Sequence, residues 1–108
     1  MSIKDKSGKI SHRLIPPSLN KAVAEVLTFG AKKYKPYSWR YVPPEDYLDA
    51  LLRHIQAARE GDKTDSESGM LHIAHALCNL TFLLDMQLRS EENILNFEQQ
   101  IVRDAENE

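Results

Sequence analysis

The sequence predicts an all-α fold, a small bundle of three main helices followed by a C-terminal helical tail. Three stretches place apolar residues at helical spacing, proline- and glycine-bearing segments separate them, and strand-like alternation is absent. With 108 residues, 42% hydrophobic and 28% charged, the chain is one domain's worth of ordinary globular protein. Its core is modest, so extra burial through self-association would not be surprising. The expected divisions are an extended arm over residues 1–17, one helical domain over 18–89 and an acidic helical tail over 90–108.

The polar opening ends in Ile15, Pro16 and Pro17, which leads into a helix starting near Ser18. From there Leu19, Val23, Val26, Leu27 and Tyr34 fall on one arc, with Lys21, Glu25, Thr28 and Lys32 opposite, as an amphipathic helix requires. The segment KPYSWRYVPP breaks that pattern. A second helix begins near Pro44 and runs through YLDALLRHIQAARE to Gly61, its stop. Thr64 or Asp65 then reads as a cap, with Glu67 in the first turn of a third helix that extends to about Arg89. Beyond it Ile94, Phe97 and Ile101 keep helical spacing, which predicts a short fourth helix or a partner-binding tail.

The N-terminus has no apolar stretch of signal-peptide type, and the run Leu77 to Met86 is too short and too interrupted to cross a bilayer. The single Cys78 has no partner for an internal disulfide, so a cytoplasmic location and no membrane partner are expected. Residues 1–40 carry nine Lys/Arg against two Asp/Glu, 41–84 carry three against seven, and 85–108 carry two against seven. A basic first third with an acidic remainder fits a small anionic ligand, or a metal with a phosphate, and disfavours a long nucleic acid.

The stretch ESGMLHIAHALCN sets titratable side chains inside the most hydrophobic segment of the chain. At about 100° per residue, His72, His75 and Asn79 share one side of the third helix, with Ala74, Cys78, Thr81 and Asp85 on a separate wedge. If the second and third helices fold back about Lys63, His54 and His72 stand at the same height, nine residues either side of the pivot. Three of the four histidines then converge beside Asp65 and Glu67. Such a cluster is either a buried hydrogen-bond network or a site in which imidazoles and carboxylates hold a divalent metal or move protons.

The segment FGAKKYKPYSWRY interleaves Lys32, Lys33, Lys35 and Arg40, donors for phosphate, with Tyr34, Tyr37, Trp39 and Tyr41, flat faces for a nucleobase. A histidine stripe, a carboxylate loop and this segment together favour a nucleotide site.

FGAKKY, the Trp of YSWR, YLDALLRHIQAAREGDKTD and ESGMLHIAHALCNLTFLL, in that order, resemble the dATP/dGTP diphosphohydrolase-type domain of bacteriophages and bacteria, over residues 13–84. The resemblance implies kinship with all-α, MazG-like pyrophosphohydrolases, which cleave nucleoside triphosphates to monophosphate and pyrophosphate. It implies a Mg²⁺- or Mn²⁺-dependent enzyme acting on purine deoxynucleoside triphosphates, a homo-oligomer (dimer or higher), in the host cytoplasm if phage-encoded. The alternative is a non-catalytic protein that sequesters a nucleotide. MazG-like enzymes hold metal with Glu-x-x-Glu and Glu-x-x-Asp, whereas here His72 and His75 occupy that spacing, near Asp46, Asp49, Asp62, Asp65 and Glu67. Imidazoles move the preference from Mg²⁺ toward Mn²⁺, Zn²⁺ or Fe²⁺. The expected metal ligands are Asp65, Glu67, His54, His72 and His75. Glu67 or His72 takes the proton of the attacking water, and Lys32, Lys33 and Arg53 neutralise the leaving pyrophosphate. Trp39 or Tyr34 stacks on the purine, and Arg40 and Asn79 complete the substrate contacts.

Overall fold

Two prolines start the second helix and a glycine ends it. In the computed structural model, which describes residues 8–33, 35 and 38–107 (and not the side chains of 93, 94 and 97), α1 spans Pro17–Lys33, α2 Pro44–Arg59 and α3 His72–Glu106. Pro44 sits in the first turn of α2, where its missing N–H costs nothing, and Glu45 and Asp46 follow there with the charge a helix N-terminus favours. At the other end Gly61 adopts φ +90°, its N–H donating to Ala58 O (3.1 Å) while Asp62 N–H donates to Ala57 O (3.0 Å). This is the paired C-terminal closure that only a residue tolerant of left-handed backbone makes without strain. Gly61→Ala should lower stability by about 1 kcal/mol, and the melting temperature by roughly 4–8 °C, as thermal denaturation followed by circular dichroism would register.

The chain reverses between α2 and α3 through a turn built by Asp65 and Ser68. Asp65 N–H donates to Met70 O (2.8 Å), Gly69 N–H to Asp65 O (2.7 Å), and Ser68 N–H to Asp65 Oδ2 (3.0 Å). Gly69 takes φ +73°, so no helix passes through it. The expected capping box at Thr64 or Asp65 with Glu67 is therefore corrected: α3 starts at His72, with no side-chain cap at Leu71. A short antiparallel bridge between Thr64 and Leu71 replaces the cap, and Lys63 O accepts the first N–H of the helix from His72 (2.9 Å).

A second correction concerns the far end. α3 runs 35 residues without a break, so the expected boundary near Arg89 and the separate fourth helix are absent. No proline or glycine interrupts residues 72–106, and the side-chain pairs Asp85–Arg89 (2.7 Å) and Gln100–Asp104 (2.8 Å) support exposed turns on either side of Ser90.

α3 is the hub. α2 packs along it as the other arm of a hairpin, and α1 and the 3-10 turn Ser38–Tyr41 pack on it as well. The small residues of α3 accept α1, with Cys78 only 2% exposed and its thiol donating to Val23 O (3.7 Å). Burial pushes that thiol up to about 11. His72 and Asn79 are the buried polar groups, and no helix among the described residues is long and apolar enough to cross a membrane.

Candidate functional site

His54 of α2 and His72 of α3 meet across the hairpin, Nδ1 to Nδ1 at 2.8 Å. One of these nitrogens must donate and the other accept. His72 Nε2 lies 3.2 Å from Asp62 Oδ2, and a carboxylate only accepts, so the proton of neutral His72 sits on Nε2 and its Nδ1 carries the lone pair. Asp62 is delivered there by the Gly61 closure of α2. His75, one turn along α3, accepts from or donates to Ser68 Oγ at 2.7 Å and stacks on His54 with ring centroids 4.9 Å apart. Its Nε2 is 3.9 Å from Asp65 Oδ2.

Burial first, then the neighbouring His75 and His72, lowers the pKa of His54, which favours the neutral imidazole a metal requires. Asp65 moves down as well. Burial alone would raise it, but hydrogen bonds from the Ser68 backbone and side chain, with His75 and His54 nearby, outweigh burial and keep it ionised. Ligand atoms of His54, Asp65 and His72 all lie within 4.8 Å of one another. Two neutral imidazoles and a carboxylate at that separation fit a borderline divalent cation such as Mn²⁺ better than Mg²⁺, which takes oxygen ligands. The Asp62 contact on His72 is the carboxylate–imidazole arrangement that fixes a ligating tautomer.

His54 and Asp65 of this cluster, with His75, line a cavity of about 940 Å³, whereas buried His72 is not part of its lining. His54, His75, Asp65, Glu67, Lys33, Lys35, Ser38 and Asn79 supply polar lining, while Val26, Phe29, Val42, Tyr47 and Phe82 supply apolar lining. Its size lies at the upper end of the range for small-molecule sites. Lys33, at the end of α1, pairs with Glu67 on the turn, joining two exposed side chains that are 34 positions apart in the chain.

The remaining expected residues divide by position. Asn79 is buried and lines the cavity. Trp39 lines it too, but its ring already stacks on Phe82 (4.7 Å, 16°), and the guanidinium of Arg40 lies 5.3 Å from the ring centroid. Tyr47 holds this turn in place, its hydroxyl donating to Trp39 O at 2.7 Å, and burial pushes that hydroxyl up to about 12. Lys32 and Arg40 are exposed and outside the lining. Arg53 is exposed, outside the lining and paired with Asp49 on its own helix. Tyr34 and Tyr37 lie outside the described residues, and His12 sits apart in the 3-10 turn His12–Leu14. Ser68 was missed by sequence reasoning, although Asp65 three positions before it is a turn signature that points to it.

A family profile described as dATP/dGTP diphosphohydrolase, N-terminal, matches residues 2–94. The chain is also similar to a dATP/dGTP diphosphohydrolase of Salmonella phage PMBT28, at 37% identity over 81 residues, 75% of this chain and 28% of that protein. It therefore spans little more than a quarter of that relative's length. No solved structure matches.

Proposed function

The chain belongs to the dATP/dGTP diphosphohydrolase N-terminal family, and from that premise we propose that its cavity binds a purine deoxynucleoside triphosphate and hydrolyses it to monophosphate and pyrophosphate. The observation that carries this reading is the mixed lining of the cavity, in which apolar and aromatic side chains are joined by His54, His75, Asp65, Glu67, Lys33 and Lys35. An apolar wall takes a base and sugar, while a cation and a cluster of metal-type donors take a triphosphate. The name of the phage relative, which specifies dATP and dGTP, supports the choice of substrate.

His54, Asp65 and His72 would hold a divalent ion, with Mn²⁺ the best match to that donor set. When bound, such an ion supplies charge neutralisation at phosphoryl oxygens and lowers the pKa of water. His75 is held beside these donors by Ser68 and adds a third nitrogen, as a fourth ligand, or a proton relay. Lys35 lines the cavity too, and Lys33 is the cation that stands beside Glu67 to meet the phosphates. As it turns from Glu67 to the incoming anion, the Glu67 carboxylate is released to accept a proton from the attacking water. Trp39, stacked on Phe82 and with the Arg40 and Arg89 guanidinium groups over its ring, offers its edge to the base.

Incubating the purified protein with each deoxynucleoside triphosphate and Mn²⁺ or Mg²⁺, then resolving nucleotide products and pyrophosphate, tests the proposal. Metal-dependent monophosphate and pyrophosphate are expected, with faster turnover in Mn²⁺. Tight binding of unchanged nucleotide without turnover would replace it with the sequestering protein.

A further inference from the structure

Two ring contacts fix the register of α2 against α3 along the cavity. His54 stacks on His75 with centroids 4.9 Å apart, and Tyr47 meets Phe82 with centroids 4.9 Å apart. Seven positions separate the two contacts on each helix, so Ala50 of α2 and Asn79 of α3, each four positions in from its histidine, stand at the same height between them. At about 1.5 Å per residue, Asn79 lies about 6 Å along the axis from His75 and about 4.5 Å from Phe82. The cavity is thereby layered, with metal-type donors at one end, the rings of Trp39, Tyr47 and Phe82 at the other, and Ala50 and Asn79 between.

Asn79 is only 9% exposed and lines that cavity. Among the described residues its carboxamide has no hydrogen-bond partner. No side-chain nitrogen or oxygen of a described residue is sealed from solvent in that condition, so the amide opens into the cavity. Burying an amide without a partner costs free energy that an apolar side chain of the same size would not. Ala50 brings no polar group, and the Cys78 thiol is directed to Val23 O. Asn79 therefore supplies the hydrogen-bonding group of α2 and α3 at this level.

We propose that Asn79 holds the 3′-hydroxyl of the deoxyribose, an assignment that rests on the cavity binding a deoxynucleoside triphosphate. In every nucleotide the sugar lies between the phosphates and the base. With the phosphates at the end lined by His54 and Asp65 and the base at the aromatic end, the sugar falls at the level of Asn79. A 5′-phosphorylated deoxyribose keeps one hydroxyl, at C3′, and that group both donates and accepts. A carboxamide carries an acceptor oxygen and a donor nitrogen, so it pairs with the hydroxyl in either orientation.

Comparison of dATP and dGTP with their 2′,3′-dideoxy analogues in Mn²⁺ reads the contact, as kcat/KM, or as affinity where the nucleotide is bound uncleaved. The wild-type protein should favour the deoxynucleotides by about 10- to 100-fold, the cost of leaving the buried amide without its partner. Asn79→Leu, which keeps the size of the side chain, should bring the deoxynucleotides down to the level of their analogues and leave the analogues unchanged. Asn79→Ala, which opens the site rather than filling it, should do the same. Asn79→Leu should also melt no lower than the wild type, because the amide it removes has no partner in the protein. Equal losses on deoxynucleotide and analogue would overturn the proposal. A changed preference between dATP and dCTP with the dideoxy ratio kept would overturn it too, and assign Asn79 to the base. Wild-type protein that handles deoxynucleotides and analogues alike overturns this assignment alone, whereas protein that neither binds nor cleaves either purine nucleotide overturns the function on which it rests.

Discussion

Glu67→Gln should lower turnover of the deoxynucleoside triphosphate by roughly 100- to 10,000-fold, the usual loss when a positioned general base is removed. Folding should be unaffected. The Glu67 and Lys33 side chains are 58% and 45% exposed, and an exposed pair of this kind contributes about 0–1 kcal/mol. The amide keeps the size and polarity of the carboxylate, so the cavity keeps its shape. Lys33→Met is the informative companion, because it removes the same ion pair from the other side. If Glu67 served only to hold Lys33, both variants would behave alike and turnover would change little. If Glu67 is the base and Lys33 meets phosphate, Glu67→Gln lowers kcat while Lys33→Met chiefly raises KM. Steady-state kinetics with circular dichroism separates these outcomes, and a Glu67→Gln enzyme with more than a tenth of the original turnover would remove Glu67 from the chemistry.

How far the sequence reaches depends on whether a feature is local. The start and stop of α2 were legible because Pro44 and Gly61 act through their own backbone geometry. The meeting of His54 and His72 was legible by counting from the turn, since a helical hairpin has little freedom of register. The start of α3 was misjudged because Asp65 and Glu67 look like a first turn, whereas Asp65 spends its carboxylate on Ser68 and Gly69 diverts the chain. The pairing of Lys33 with Glu67 and the stacking of Trp39 on Phe82 join distant positions whose approach is decided by how α1 and the Ser38–Tyr41 turn dock on α3. Periodicity located apolar residues on α3 but did not say which faces the bundle covers. Leu84 and Leu88, for example, are left exposed.

Mn²⁺ should raise the melting temperature of the protein and His72→Ala should abolish that rise. A ligand at about 100 times its dissociation constant stabilises the folded state by about 2.7 kcal/mol, an upward shift of roughly 10–20 °C for a domain of this size. Asp62→Asn leaves the three ligands His54, Asp65 and His72 in place but weakens the acceptor at His72 Nε2, and should cost about 10- to 100-fold in affinity. The hydrogen-bond network reading predicts a different result: His72→Ala would destabilise the chain, and Mn²⁺ would shift neither protein. Acidity gives an independent check on the ion-free protein. The folded pKa of His54 lies below the ordinary 6.5, chiefly through burial, so the unfolded chain takes up its proton first as pH falls. Stability is therefore highest with His54 neutral and declines as pH drops below about 6.5 toward the folded pKa. Asp65 acts in the same sense lower down: its folded pKa lies below 3.8, so its contribution, present above that value, is lost as pH falls through the folded pKa. Melting curves in a chelator between pH 7.5 and 5 should show the decline, and His54→Gln should flatten it. Protons and the metal compete for the same imidazole nitrogens, so Mn²⁺ affinity must weaken over the range in which His54 becomes charged. An affinity that stays unchanged as pH falls through the folded pKa of His54 would place the ion elsewhere.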